Sequence, residues 1–300
     1  MEKLNDGILG LCIGEAMGVP FKFKHRRDLS NPNDLYEGKW SAAGSLSLCE
    51  LDSLSTGLDY KDMMNKFVLW SQTGLYSSID KRFDIGIDIN EALYNYLSGI
   101  DPNHCGSTSE HNNGNEALIR MLPVLFYLRK KYTNSFFRYD ISLEIIDHIA
   151  GLTHNHISCK IACLIYVKLA NNIIEVKDSL KNIIKITLDD FFDSYKNNEL
   201  EKYKRLYDYD KFLNLSIEDI YSDRNVIHSL EAVLYILGNT NSFLEAISKG
   251  AMLGNDSDSI CSIIGSLAGL YYGLDDCPNN LINNLKKKEL IDEIVKKFEW

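Results

Sequence analysis

The spacing of small residues near the two ends of the chain restricts how it can fold. In the stretch GILGLCIGEAMGVP, the residues Gly7, Gly10, Gly14 and Gly18 recur near helical spacing. A second stretch, GSLAGLYYG, is similarly rich in glycine and alanine. Small residues on one helix face let the backbone of another helix approach closely. We therefore expect these two helices to cross at the centre of the fold, whether or not the contact also serves a function.

The rest of the chain has the apolar pattern of helices. Segments such as EALIRMLPVLFYLRKKY, CKIACLIYVKLANNIIEV and VIHSLEAVLYIL repeat apolar residues at three and four positions, and few stretches alternate. The chain has 300 residues, of which 45% are hydrophobic, so it can bury a large core. We predict an all-α fold of about a dozen helices, organised as a single domain over residues 1–300.

Composition excludes some classes of partner. A net charge of −10 opposes binding to a nucleic-acid backbone, but it does not exclude a pocket that binds a nucleotide. The N-terminal apolar stretch is interrupted by Glu15 and lacks a preceding basic region, and no apolar run reaches the roughly 18 residues of a membrane span. The seven cysteines lie mostly in apolar helical stretches, as reduced thiols do. We expect a cytoplasmic protein without a signal peptide or membrane partner.

Two carboxylates and a hydroxyl stand directly before the second small-residue helix. The stretch GNDSDSI contains Asp256, Asp258 and Ser259. Acids two residues apart in a turn can point into one space and offer the hard oxygen ligands that Mg²⁺ or Mn²⁺ prefers. Alternatively, Asp258 or Ser259 could simply cap the helix that follows. The spacing alone leaves both interpretations open.

At these residues the sequence resembles the ADP-ribosylglycohydrolases, the family that includes dinitrogenase reductase activating glycohydrolase. GNDSDSICSIIGSLAGLYYG is similar to the C-terminal family motif, and GILGLCIGEAMGVPF is similar to the opening motif. GNEALIRMLPV and LTHNH resemble two motifs between them, and all four follow the family order. The resemblance implies a single compact orthogonal helical domain, Mg²⁺ or Mn²⁺ as cofactor, and ADP-ribose or an ADP-ribosylated protein as ligand.

The resemblance also implies roles for individual residues. Asp256 and Asp258 match the catalytic acids. The matching metal ligands are Ser41, Asp256, Asp258 and Ser259, and the matching ligand-binding residues are Gly114, Asn115, His154 and Gly254.

The chain departs from the family pattern where chemistry is expected. In the stretch WSAAG, the family usually has a hydroxyl residue followed by two aspartates. Here Ser41 keeps the hydroxyl, but Ala42 and Ala43 stand in place of the aspartates. Lys22 stands where the family usually has glutamate, and Glu116 replaces a glycine on the phosphate side. With only Asp256 and Asp258 left, one weakly bound ion is conceivable, whereas two are not expected.

The altered residues suggest that a side chain takes the place of the metal, and that the alterations arose naturally. We hypothesise that the Lys22 ammonium pairs with Asp256 and Asp258 in place of an ion. Adjacent alanines are also what a deliberate inactivation would leave. Because Lys22, Glu116 and Gly44 depart as well, a naturally degenerate family member is favoured.

The remaining reactive groups have simpler interpretations. His154, His156, Cys159 and Cys163 could be read as a zinc cluster, but their spacing fits no common zinc module. For Arg120 we favour a structural ion pair inside the bundle. Cys105 has no base recognisable from spacing, which favours an unreactive thiol.

Three classes of function remain. They are an active Mg²⁺-dependent hydrolase of ADP-ribosyl bonds, a pseudoenzyme that binds ADP-ribose without cleaving it, and a scaffold or inhibitory protein that has lost the ligand. The missing acids and Glu116 favour the last two classes, whereas the intact LTHNH and GNDSDSI motifs favour the first two. We therefore expect recognition of ADP-ribose or an ADP-ribosylated substrate, with metal-dependent hydrolysis impaired.

Overall fold

The computed structural model describes residues 2–26 and 32–299, and within these ranges it has fourteen α-helices and no strand. The prediction of an all-α fold is confirmed. The helices are α1 (Glu2–Gly18), α2 (Ala42–Leu54), α3 (Tyr60–Thr73), α4 (Ile87–Leu97), α5 (Leu122–Tyr132), α6 (Asp140–Gly151), α7 (Ile157–Glu175), α8 (Leu180–Ser194), α9 (Tyr209–Leu213), α10 (Val226–Gly238), α11 (Phe243–Ala251), α12 (Ser257–Tyr272), α13 (Asn279–Asn284) and α14 (Lys288–Glu299).

Helices α1 and α12 pack backbone against backbone at the centre of the fold. A Cβ atom placed on Gly10 would lie 2.4 Å from the carbonyl oxygen of Gly265, and one placed on Gly265 would lie 2.1 Å from the oxygen of Gly10. At the other end of the contact, the Ser257 hydroxyl donates to the Gly18 carbonyl over 2.9 Å. The expected contact between the two helices is therefore present. Instead of one crossing point, however, it runs antiparallel along the helices and brings the end of α1 to the start of α12.

A buried ion pair joins α2 to the turn that precedes α5. Arg120 is fully buried and pairs with the Glu50 carboxylate. The same guanidinium donates to the Ile149 carbonyl over 3.0 Å and to the Thr153 hydroxyl over 2.8 Å. Removing one partner from such a pair leaves an uncompensated buried charge. The structural interpretation of Arg120 is confirmed.

Helix α7 corrects one expectation from the sequence. It is long and apolar enough to cross a membrane, with a mean hydropathy of 1.4 over an 18-residue window. Lys160 and Lys168 interrupt its apolar residues, so the helix contains no unbroken apolar run of that length. Since 72% of that window is buried inside the protein, α7 has the surroundings of a core helix.

The cysteines are all buried, and none forms a disulfide. Cys105 lies in a loop after α4, where its thiol donates to the Asp101 carbonyl over 3.3 Å. Burial raises the pKa of Cys105 to about 11, so the thiol form predominates at neutral pH. This agrees with the prediction of unreactive thiols.

The contact between α1 and α12 predicts a large effect for a single methyl group. Gly265→Ala should lower the free energy of unfolding by about 3 kcal/mol, because the new Cβ meets backbone that cannot move aside. Urea denaturation followed by circular dichroism measures this change. Gly151→Ala is the matched control, since the nearest atom to its Cβ would be a side-chain oxygen of Asn155 at 3.0 Å. Equal stabilities for the two variants would contradict the proposed packing constraint.

Candidate functional site

A cavity of about 170 Å³ lies where the end of α1 and the starts of α2, α4 and α12 meet. Its charged lining comprises Glu15, Lys22, Asp84, Glu116, Arg224, Asp256 and Asp258. The residues singled out from the sequence that line it are Lys22, Ser41, Ala42, Ala43, Glu116, Asp256, Asp258 and Ser259. The fold thus brings the four proposed metal ligands and the four altered positions to one place.

The two carboxylates at the start of α12 point toward neighbouring side chains instead of capping the helix. Asp256 is the N-cap residue of α12, but its side chain makes no capping hydrogen bond. Its Oδ2 accepts a hydrogen bond of 2.7 Å from the amide of Asn115. Asp258 directs Oδ2 to Lys22, while its Oδ1 is buried without a hydrogen-bond partner. The sequence left open whether these acids converge on one space or cap the helix. The arrangement agrees with convergence.

Lys22 lies between two carboxylates. Its Nζ is 2.9 Å from Asp258 Oδ2 and also pairs with Asp84. Burial alone would lower the pKa of Lys22, but the charges of Asp258 and Asp84 raise it, so the ammonium stays protonated. The hypothesis that Lys22 pairs with Asp258 is confirmed, whereas the expected pairing with Asp256 is wrong. Asp84 takes that place, and Asp256 accepts a hydrogen bond from Asn115.

Burial opposes ionisation of both acids on α12. It raises the pKa of Asp258 to about 6, reinforced by the charge of Asp256 and opposed by Lys22. It also raises the pKa of Asp256, against the hydrogen bond from Asn115. The two carboxylates are close enough to repel each other, and the single ammonium of Lys22 compensates only part of their charge.

Glu15 supplies the cap that the first turn of α2 lacks. Ser41 is the N-cap residue of α2 and makes no capping bond of its own. Instead, its hydroxyl donates to Glu15 Oε1 over 2.5 Å, and the amides of Ala43 and Gly44 donate to the same carboxylate over 2.9 and 2.8 Å. A carboxylate at a helix N-terminus is favoured by the free amides and the helix dipole. Burial raises the pKa of Glu15 to about 7, against these hydrogen bonds.

Glu116 is held by two cations on the opposite wall. Its Oε2 accepts a hydrogen bond of 2.9 Å from His154 Nε2, and its other oxygen pairs with Arg224. Burial would raise the pKa of Glu116, but His154 and Arg224 lower it to about 2. Asp88 lies 3.5 Å from the same histidine nitrogen. Burial would lower the pKa of His154, but Asp88 and Glu116 raise it.

Sequence reasoning missed four members of this arrangement. Asp84 and Asp88 lie in a loop and at a helix start and match no motif quoted from the sequence. Arg224 begins the stretch RNVIHSLEAVLYIL, which resembles a family segment, but no role was assigned to it. Glu15 lies in the stretch GILGLCIGEAMGVPF that resembles the opening motif, but it was singled out only as a charge that interrupts an apolar stretch. No local pattern could have shown that its carboxylate reaches the start of α2.

The histidines and cysteines of the considered zinc cluster are dispersed among different partners. His156 caps α7 by accepting from the Ser158 amide over 3.2 Å, and Cys159 donates to the Asn113 side chain over 3.0 Å. His154 belongs to the Glu116 network instead. The structure therefore agrees with the expectation against zinc at these four residues.

The glycines expected to bind ligand occupy tight positions. A Cβ on Gly114 would lie 2.2 Å from Glu116 Oε2 and 2.7 Å from Asp88 Oδ2. Gly254 has φ +69°, in the left-handed region, and a Cβ there would lie 2.4 Å from the Lys24 carbonyl oxygen. Each glycine is thus required by local packing, and their contact with a ligand stays a prediction.

Comparison with known proteins gives consistent matches along the chain. The family model described as ADP-ribosylglycohydrolase matches residues 1–299. The ADP-ribosylarginine hydrolase Tri1 of Serratia proteamaculans is 28% identical over 99% of this chain and 79% of its own length. The ADP-ribosyl-[dinitrogen reductase] glycohydrolase of Rhodospirillum rubrum is 21% identical over 96% of this chain and 91% of its own.

A solved structure has the same fold. The protein described as an ADP-ribosylglycohydrolase-related protein complex superposes with a TM-score of 0.80, covering 99% of this chain and 96% of that one at 21% identity. At this identity the likeness concerns the fold. The prediction of the fold class is confirmed.

The raised pKa of Glu15 predicts a pH-dependent stability. Since the pKa is about 7 in the folded chain against 4.5 ordinarily, the folded state keeps a proton that the unfolded state has lost between these values. The contribution of Glu15 to the free energy of unfolding therefore falls as pH rises through this window. From pH 5 to 7.5, wild type should lose about 2 kcal/mol relative to Glu15→Gln. Urea denaturation at both pH values measures the difference, and parallel pH profiles would contradict the assignment.

Proposed function

The chain belongs to the ADP-ribosylglycohydrolase family, and from that premise we propose that it binds an ADP-ribosyl group without the two-ion magnesium centre implied by the family resemblance. Metal-dependent hydrolysis is accordingly impaired. The observation that carries the proposal is the ammonium of Lys22, placed 2.9 Å from Asp258 in a cavity where Ala42 and Ala43 supply only methyl groups.

The residues at the cavity do not fit two magnesium ions. Magnesium requires a nearly octahedral shell of oxygen ligands. Here one oxygen of Asp258 is paired with Lys22, one oxygen of Asp256 accepts from Asn115, and the Ser41 hydroxyl donates to Glu15. An ion at Asp258 would lie beside the ammonium of Lys22, and the methyl groups of Ala42 and Ala43 add no oxygen ligand that could complete its shell. We therefore derive no reaction step through magnesium.

Glu116, which the family resemblance places beside the diphosphate of the ligand, is compatible with an anionic ligand. Glu116 replaces a glycine, and a bare carboxylate there would repel a diphosphate. In this chain, however, its charge is balanced by His154 and Arg224, both of which contact it directly. The Arg224 side chain is 40% exposed, so its guanidinium can also reach a phosphate in the cavity mouth.

The ligand we propose is an ADP-ribosylated arginine side chain. The Tri1 proteins of Serratia proteamaculans and Pseudomonas putida, which match 99% of this chain at 28% and 26% identity, are described as ADP-ribosylarginine hydrolases. The cavity lining also contains five carboxylates and two basic groups, an excess of acids that favours a cationic guanidinium. In this assignment Lys22 and Asn115 hold the acids of α12 in place, and Arg224 orients the phosphates.

Calorimetric titration with ADP-ribose tests the proposal. The protein should bind ADP-ribose with a dissociation constant that changes less than twofold when Mg²⁺ is added, because no ion completes the site. A hydrolysis assay on an ADP-ribosylated arginine peptide should show no Mg²⁺-dependent release. Binding that requires Mg²⁺ would indicate an active hydrolase, and no binding in either condition would indicate a scaffold; both results contradict the proposal.

Lys22→Glu tests whether the ammonium takes the place of an ion. Replacing Lys22 removes the competing cation and adds a carboxylate, so Mg²⁺ affinity should rise at least tenfold by calorimetry. Lys24→Glu makes the same charge change at an exposed position two residues away and should leave Mg²⁺ binding unchanged. Equal Mg²⁺ affinities in the two variants would refute the role of Lys22.

A further inference from the structure

The polar cluster around Glu116 has the composition of a metal site distinct from the carboxylates of α12. Asp88, Glu116 and His154 each offer one ligand atom, and these atoms lie within 4.8 Å of one another. Within residues 2–26 and 32–299 it is the one such group of three. We propose that Asp88, Glu116 and His154 bind a divalent transition-metal ion of the zinc class.

The separations between the donor atoms suit a small tetrahedral ion. His154 Nε2 lies 2.9 Å from Glu116 Oε2 and 3.5 Å from Asp88 Oδ2. Ligands at about 2.05 Å around a tetrahedral zinc ion lie about 3.3 Å from one another. These two separations bracket that value, and the third, between the Asp88 and Glu116 oxygens, is at most 4.8 Å.

The backbone leaves room for the three donors to converge. A Cβ on Gly114 would lie 2.2 Å from Glu116 Oε2, 2.7 Å from Asp88 Oδ2 and 3.2 Å from His154 Nε2. All three atoms therefore face the space that a side chain at this position would fill. Asp88 lies in the first turn of α4, where the helix dipole favours a negative charge.

The histidine is oriented by a second set of contacts, as metal-binding histidines commonly are. His154 Nδ1 is 2.9 Å from the hydroxyl oxygen of Thr153, which in turn accepts from Arg120 over 2.8 Å. A proton on Nδ1 can be donated to Thr153, which leaves Nε2 free to bind a metal. A mixed imidazole and carboxylate set favours zinc, manganese or iron over magnesium.

Arg224 competes with the ion for the same oxygens. It pairs with Glu116 and lies 3.7 Å from Asp88. Its side chain is 40% exposed, so it can turn toward solvent when an ion enters. Three protein ligands leave one position open for water or an anionic ligand.

Calorimetric titration of the full chain with zinc alone, after removal of metals by a chelator, tests the site. We expect one tight equivalent. Asp88→Asn and Glu116→Gln should each weaken it at least tenfold, since each removes a charged ligand while keeping its shape. Arg224→Gln should strengthen it severalfold by removing the competing cation. Asp258→Asn is the matched control and should change the affinity less than twofold.

The same variants distinguish this site from weak zinc binding at the surface and from an ion at α12. Exposed histidines could bind zinc weakly, but that binding would be insensitive to Asp88→Asn. Loss of the tight equivalent in Asp258→Asn alone would place the ion at α12 and overturn the proposal, as would the absence of a tight equivalent in wild type.

Circular dichroism confirms that each variant is folded, and the visible spectrum of the cobalt-loaded protein should show the imidazole and carboxylate ligation. No ADP-ribose is present, so the result is independent of the proposed function.

Discussion

The close packing of α1 against α12 positions the whole candidate site. Because Gly10 lies against Gly265 and Gly18 lies against Ser257, the two helices have one register. That register places the residues just after α1 beside the residues that begin α12. Lys22 follows Gly18 by four positions and Asp258 follows Ser257 by one, so their ion pair is a consequence of the helix contact. A shift by one helical turn would separate them by about 5 Å.

Charge compensation explains why so many ionisable groups can be buried together. Carboxylates taken out of water are costly unless they are paired or hydrogen-bonded. In this cavity Asp258 has Lys22, Asp256 has Asn115, Glu15 has the amides of α2, and Glu116 has His154. The family resemblance implies that metal ions perform this compensation elsewhere. Here the described side chains and one helix N-terminus provide it.

The sequence was sufficient for the fold class and for part of the site. Apolar repeats at three and four positions predicted helices, and the spaced glycines predicted the central contact. The ordered motifs identified Asp256, Asp258 and Lys22 as neighbours. Their exact pairing was not predictable, since Asp256 contacts Asn115, which lies in a turn more than a hundred residues away along the chain.

The roles of Glu15, Asp84, Asp88 and Arg224 required the structure, for a common physical reason. Each acts through a contact between distant parts of the chain, and neither a period nor a motif indicates which partner its side chain reaches. Glu15 is the clearest case, because a charge inside an apolar helix can mark a solvated edge as well as a buried cap.

The opening turn of α2 connects these observations. The amides of this turn are buried and need an acceptor, and an unsatisfied buried amide costs about 1–3 kcal/mol. Glu15 meets that need only as long as its carboxylate stays beside the turn, which also engages the hydroxyl of Ser41. The contact that stabilises α2 thus also fixes the Ser41 hydroxyl, whose hydrogen points to Glu15 while its oxygen keeps free lone pairs. Restoring the two aspartates alone would still leave the ammonium of Lys22 beside Asp258, where its charge opposes the entry of a divalent ion.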